Sequence, residues 1–153
     1  MEYIAQLVTS FIGSAGFGVI FNVPRETVLK CGFVGMSGWI CYFVLSQNGM
    51  DIIPATAIAS TLIAVISQSF AKLYKTPMTI FTVGGIIPLV PGGMAYNAMR
   101  HFVENDYNTA ISLAAKAFLI SGSIAMGLVF AEVINQIFMR IKNHKKTVRR
   151  KDY

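Results

Sequence analysis

The sequence predicts an all-α, polytopic membrane protein with about five transmembrane helices, the fourth of them broken by proline and glycine. Only 13% of its 153 residues are charged, against roughly 25% in an ordinary soluble domain. The charges are also bunched, because uncharged runs of 22, 20, 20 and 24 residues end before Arg25, Asp51, Lys72 and Arg100. A membrane-spanning helix needs about 20 mostly apolar residues. Four such runs are too many for the buried core of so short a chain.

The predicted transmembrane domain covers residues 1–139 and is followed by a basic cytoplasmic tail, 140–153. We place its spans at about 3–22, 32–49, 52–71, 77–99 and 109–139. The fifth span contains Lys116 and Glu132, which lie near its ends, where long side chains reach the headgroup region. The N-terminus, MEYIAQ, lacks the basic residues of a signal peptide, so we expect the first span to be retained.

The basic residues predict the orientation, because short loops rich in Lys and Arg stay in the cytoplasm. With five crossings and an internal C-terminus, 11 basic residues lie inside and one, Arg100, lies outside. Four crossings would place either the basic tail or two basic loops outside. We therefore expect a multi-pass protein of the plasma (inner) membrane with its N-terminus outside. The tail also has the composition of a segment that binds anionic lipid.

Small and polar residues recur on one face of several spans, which is typical of transmembrane helix packing. The fifth span carries Ser123, Gly127 and Ala131 at four-residue spacing. Gln6 and Gln68 are harder to explain by packing alone, because an amide within a membrane must find a polar partner. We expect both to face protein or a water-filled path. The stripes also predict contact with other subunits in a hetero- or homo-oligomer.

No catalytic or metal-binding constellation is recognisable in the sequence. It contains no Ser-His-Asp set, no paired carboxylates, no phosphate-binding loop and no cluster of metal ligands. Cys31 and Cys41 lie in apolar sequence without a partner at ligand spacing, so we expect neither a disulfide nor a metal site. The basic residues lie just beyond spans rather than on a soluble module, which argues against nucleic-acid binding. We expect no enzyme activity and no cofactor.

The fourth span contains GGIIPLVPGGMAYNAM at residues 84–99, with four glycines and two prolines. A proline lacks its N–H and displaces the carbonyl four residues earlier, so Pro88 and Pro91 should free the carbonyls of Gly84 and Ile87. The helix restarting after Pro91 should present the N–H groups of Gly92, Gly93 and Met94, which favour an anion such as a carboxylate. Tyr96 and Asn97 would add polar side chains. The alternative is a kinked helix whose glycines serve packing only.

The segments GFGVIFNVPRETVLKCGFVG at 16–35 and FTVGGIIPLVPGGMAYNAM at 81–99 resemble the threonine/serine exporter family, in particular the short membrane-only subunit of its two-gene form. The resemblance covers essentially the whole chain. The family motif Pro-x-x-Pro-Gly-x-x-x-Tyr falls on Pro88, Pro91, Gly92 and Tyr96, and Asn-Val-Pro falls on residues 22–24. We therefore include Asn22 and Pro24, with Gln6, Gln68 and Lys116, as residues of a path or of the shell behind the site.

The resemblance implies a longer partner subunit with a cytosolic hydrolase-like domain and about five spans. It also implies secondary export of a small carboxylate-bearing metabolite, either a threonine/serine-type amino acid or a dicarboxylate such as succinate. We expect the proton gradient to drive export. Because Gly93 and Met94 follow Pro91 and Gly92, no hydroxyl-bearing residue lies beside the break. The sequence therefore does not decide between the two substrate classes. The alternatives are a passive channel component and a non-transporting assembly subunit for the longer partner.

Overall fold

The computed structural model describes the backbone of residues 2–149 and the side chains of residues 3–140. Most of the predicted basic tail lies outside the described side chains. The helices are α1 (Glu2–Ile20), α2 (Arg25–Gln47), α3 (Ile52–Tyr74), α4 (Met78–Ile86), α5 (Gly92–Val103) and α6 (Tyr107–Arg149), with a 3₁₀ turn at Ile87–Leu89 between α4 and α5. Helix α2 begins seven residues before the predicted start of the second span at residue 32, so its first two turns carry Arg25 and Lys30.

The predicted fold class is confirmed. Helices α1, α2, α3 and α6 are each long and apolar enough to cross a membrane. The fifth candidate is the pair Met78–Leu89 and Gly92–Val103, whose two halves meet at an angle of 52°. Each half is about 18 Å long at 1.5 Å per residue, so the pair together has the length of one bent crossing.

Four helices end in the same way, with a residue in the left-handed conformation followed by an amide that bonds back into the last turn. At the end of α1, Asn22 has φ 54°, and the Val23 amide donates to the Gly18 carbonyl at 3.0 Å. This is the Schellman motif, which satisfies the last carbonyls of a helix. The other left-handed residues are Gly49, Lys75 and Asn105. These endings turn the chain within three or four residues and produce the short loops of the bundle.

Helix α6 starts from a capping aspartate in the α5–α6 loop. The Asp106 carboxylate accepts the Thr109 amide at 3.3 Å and lies 3.3 Å from the His101 ring. Hydrogen bonds from Thr109, with a smaller contribution from His101, hold the pKa of Asp106 below its ordinary value. The ionised carboxylate therefore stabilises the folded loop at pH values above the ordinary pKa of aspartate. This small stabilisation is lost as the pH falls through the lowered pKa.

Helices α3 and α6 run parallel to each other. Their contacts proceed in the same direction along both: Ser123 Oγ donates to the Ile53 carbonyl at 2.5 Å, Thr61 Oγ1 to the Gly127 carbonyl at 3.2 Å, and Gln68 Nε2 to Glu132 at 3.1 Å. Because α6 runs in the same direction as α3, the α4–α5 pair must carry the chain back toward the end of the bundle at which α3 starts. A re-entrant hairpin would have left α6 antiparallel to α3.

Two glycines allow close contacts between helices: Gly127, which belongs to the predicted stripe, and Gly85, which we expected at the break and which instead lies within helix α4. A Cβ on Gly127 would lie 2.5 Å from the Ala57 carbonyl of α3. A Cβ on Gly85 would lie 2.7 Å from Val34 of α2. The core between these helices includes the fully buried side chains of Val34, Ile63 and Phe81. Helix α4 is thereby fixed against α2 and α3, whereas α5 lies mainly against α6.

Candidate functional site: the break between α4 and α5

The break in the fourth span is a short, ordered turn. Helix α4 tightens into the 3₁₀ turn at Ile87–Leu89, Val90 is extended, and Pro91 adopts φ −78° and ψ 47° before α5 begins at Gly92. Both prolines remove an amide that a continuous helix would need. Twelve residues precede the break, from Met78 to Leu89, and twelve follow it in α5. The break therefore lies midway along the segment.

The backbone carbonyls at the break differ from the sequence prediction. The Ile87 carbonyl accepts the Val90 amide at 3.2 Å, so the prediction that Pro91 leaves it unpaired is wrong. The physical reason is that 3₁₀ winding supplies a donor three residues ahead in place of the one four residues ahead. The Gly84 carbonyl oxygen faces α2, only 3.4 Å from where a Cβ on Gly35 would lie. It belongs to a helix contact rather than to an open path.

Two of the three predicted amide donors remain without an acceptor in the described part of the chain. The Gly92 amide donates to the Val90 carbonyl at 2.8 Å, closing an inverse γ-turn centred on Pro91. No side chain caps α5, and the amides of Gly93 and Met94 find no backbone acceptor. Both carry the positive end of the α5 dipole. This helix start can therefore bind an anionic group.

Two cavities adjoin the break on different sides. The smaller, of about 140 Å³, is bounded by Pro88 and Pro91 and includes the polar side chains of Trp39, Tyr42 and Thr56. The larger, of about 520 Å³, lies between α5 and α6, and its lining is apolar apart from Ser121. The smaller cavity is thus the one that combines the prolines of the break with hydrogen-bonding side chains.

Tyr96 and Asn97 point away from the rest of the chain. Gly93, Tyr96, Asn97 and Arg100 follow the spacing of a single helix face, and all four are exposed. Tyr96 retains 71% of its accessible surface. The face of α5 that carries the free Gly93 amide is therefore not covered by any other helix in the described part of the chain.

The five residues predicted to line a path or to support the site fall in four different places. Gln6 accepts a hydrogen bond from Trp39 Nε1 at 2.8 Å, so it holds the indole that borders the small cavity. Asn22 and Pro24 lie in the α1–α2 loop, where Asn22 provides the left-handed turn residue and Pro24 precedes the first turn of α2. Lys116 is exposed on α6. Of these five residues, Gln6 is connected to the break through Trp39.

Gln68 belongs to a separate polar contact between α3 and α6, because its side chain is buried and donates to Glu132 Oε2 at 3.1 Å. Sequence reasoning identified Gln68 as needing a partner but did not identify Glu132 as that partner. The available signal was the pair of small-residue faces, one leading along α3 to Gln68 and one along α6 past Ala131. If these faces pack in parallel, Gln68 and Glu132 meet.

Four long apolar helices and a fifth segment broken midway by proline and glycine define a polytopic α-helical membrane protein with the architecture of a transporter. The profile of the family described as "Threonine/Serine exporter, ThrE" matches residues 6–134. The chain therefore belongs to the threonine/serine exporter family, as its resemblance implied. Membership supports a threonine/serine exporter role and points to a transporter rather than an enzyme. No solved structure matches the chain.

Proposed function

We propose that this chain is one membrane subunit of a two-component secondary exporter. Its substrates are small carboxylate-bearing metabolites, either threonine/serine-type amino acids or a dicarboxylate such as succinate, moved outward across the plasma membrane. The partner is a longer subunit with about five spans and a cytosolic hydrolase-like domain. The N-terminus lies outside and the C-terminus in the cytoplasm.

The observation that carries this proposal is the start of α5 at the break in the fourth span, beside Ile52 and Thr56 of α3. Two amides, of Gly93 and Met94, point out of a helix N-terminus without an acceptor in the described chain. Unsatisfied backbone groups at membrane depth are costly unless they line a polar cavity or bind a ligand. A carboxylate accepts two such amides and is further favoured by the helix dipole. Every substrate named above carries a carboxylate.

The surroundings of the break support a site shared with a partner. Tyr42 offers a hydroxyl group on the covered side of the break. The Trp39 N–H beside it already donates to Gln6, and the Thr56 hydroxyl already donates to the Ile52 carbonyl. The opposite side, with Gly93, Tyr96 and Asn97, is open in this chain. A helix of the longer subunit placed there would close the site and exclude lipid from it.

Efflux measurements on cells that carry the chain with its partner genes intact test the site. We expect Gly93→Leu, Gly92→Leu and Pro91→Ala each to lower export of labelled threonine or succinate by about tenfold or more. A Cβ at position 93 meets nothing within 4 Å beyond its chain neighbours and its own helix backbone, so we expect Gly93→Leu to leave the packing of this chain intact. Gly16→Leu is the matched control, because a Cβ at Gly16 also meets nothing within 4 Å. Wild-type export by the Gly93→Leu variant at normal expression would refute the site.

The same assay separates the two alternatives. A passive channel component would give flux that a protonophore leaves unchanged. A non-transporting assembly subunit would leave export unchanged in Gly93→Leu whenever the complex with the partner still forms. An exporter subunit loses export in Gly93→Leu while the complex, checked by co-purification with the partner, still forms.

A further inference from the structure

Glu132 is the carboxylate that lies farthest from a helix end in the described chain. The other described acidic residues lie in loops or at helix ends: Glu26, Asp51, Glu104 and Asp106. Gln68, the partner of Glu132, lies five residues from Ile63 at the middle of α3, or roughly 8 Å along the axis. Half of a bilayer core is about 15 Å thick. With α3 centred in the membrane, Glu132 lies inside the apolar region, deeper than the headgroup position near the end of the fifth span that the sequence predicts.

The partners of Glu132 are neutral. Gln68 Nε2 donates to Oε2 at 3.1 Å and Gln136 Nε2 donates to Oε1 at 3.3 Å. The nearest basic residue on α3, Lys72, donates instead to Asn135 at 2.8 Å. The next charge along α6 is Arg140, two turns away. Among the described residues, ion pairs occur only between α5 and the α5–α6 loop. Glu132 therefore has no counter-ion within 4 Å among the side chains that the structure describes.

We propose that Glu132, held by Gln68 across the α3–α6 contact, is the group that binds and releases the coupling proton of this exporter. The inference rests on the proposed function. An ionisable residue inside a transmembrane segment is often part of a proton relay. The carboxylate takes one proton from the outer side to become a neutral acid, and later releases the same proton to the cytoplasm as the substrate leaves in the opposite direction.

The amide of Gln68 suits both protonation states, which a lysine would not. Its –NH₂ group donates to the carboxylate, and after rotation of the amide its carbonyl oxygen accepts the O–H of the neutral acid. The contact between α3 and α6 therefore survives in both states with a reversed hydrogen bond. Helix α6 also packs along α5 beyond the break, so a change at the α3–α6 contact is transmitted to the element that begins at the carboxylate site.

Two transport modes distinguish proton coupling from substrate binding. In cells with the partner genes intact, we expect Glu132→Gln to lower pH-gradient-driven efflux of labelled threonine, or of labelled succinate, by about tenfold or more. Exchange of labelled for unlabelled substrate without a gradient needs no net proton movement and should stay within about twofold of wild type. Glu104→Gln, which removes a carboxylate from the exposed α5–α6 loop, is the matched control and should leave both modes unchanged.

Gradient-driven efflux that stays at the wild-type rate in Glu132→Gln would overturn the inference, and so would an equal loss of efflux and exchange at normal expression. If Glu132→Gln does not reach the membrane, Glu132→Asp decides: a displaced pH profile of efflux supports the proton site, and an unchanged profile overturns it. If instead the proposed function is wrong, wild-type cells export neither labelled threonine nor labelled succinate faster than cells lacking the chain.

Discussion

Gly127 shows how strongly a single residue determines the α3–α6 contact. A Cβ at this position would lie 2.5 Å from the Ala57 carbonyl, so Gly127→Ala must push the helices apart. We expect the change to cost about 1–3 kcal/mol and to lower the melting temperature of the purified protein by several degrees.

Gly122, on the same helix, provides the control, because a Cβ there meets nothing within 4 Å. Alanine is the better helix former, so Gly122→Ala should leave the melting temperature unchanged or raise it slightly. If both variants behaved alike, the close approach at Gly127 would be refuted.

The left-handed backbone conformation at residue 22 favours asparagine there, apart from any role of Asn22 in a substrate path. Its φ of 54° suits asparagine and glycine and penalises other residues by about 1–2 kcal/mol. We expect Asn22→Gly to retain stability and export, and Asn22→Ala to reduce thermal stability. Export by Asn22→Gly decides between the two roles, because a path residue would lose function when its amide is removed while the turn is preserved.

Residue-level prediction succeeded where a single physical rule dominates. The stripe of Ser123, Gly127 and Ala131 is buried, because small residues are what close helix packing requires. Prediction failed at the Ile87 carbonyl, because the rule used there assumed that a helix interrupted by proline simply loses its hydrogen bonds. The chain instead shortens its hydrogen-bond step and satisfies the carbonyl locally.

The two halves of the broken span differ in how firmly they are held. Helix α4 has four buried residues among nine, including Phe81 and Gly84, whereas α5 has one, Ala98, among twelve. Local stability follows the number of buried contacts. In hydrogen exchange of the purified protein, we expect amides of α5 to exchange faster than those of α4 and α3. Equal protection of α4 and α5 would contradict this difference.

The existence of the break was predictable from sequence, but its shape was not. Two prolines and four glycines in ten residues indicate that a helix is interrupted, and the interruption is observed. The angle of 52° depends on the γ-turn at Pro91 and on the packing of α4 against α2. Those contacts join residues about 50 positions apart, such as Cys31 and Ile80, which a local pattern does not specify.

At the scale of the whole molecule, charge distribution and helix direction both favour a broken span that connects opposite ends of the bundle. The count of basic residues favours five crossings, and the parallel course of α3 and α6 requires the α4–α5 pair to connect opposite ends of the bundle. The first rests on which loops carry Lys and Arg, the second on contacts such as Thr61 with Gly127. The charge argument and the helix-contact argument therefore rest on separate observations.

Labelling of single cysteines tests this arrangement in a chain carrying Cys31→Ala and Cys41→Ala. We expect an impermeant maleimide to reach Asn48→Cys and Glu104→Cys in intact cells, and to reach Glu26→Cys and Thr76→Cys only after permeabilisation. The loops at 76 and 104 flank the broken span, so they are the decisive pair. Labelling of both from the same side would mean that the α4–α5 segment enters and leaves the membrane on one face. The carboxylate site would then lie in a re-entrant loop rather than within a crossing.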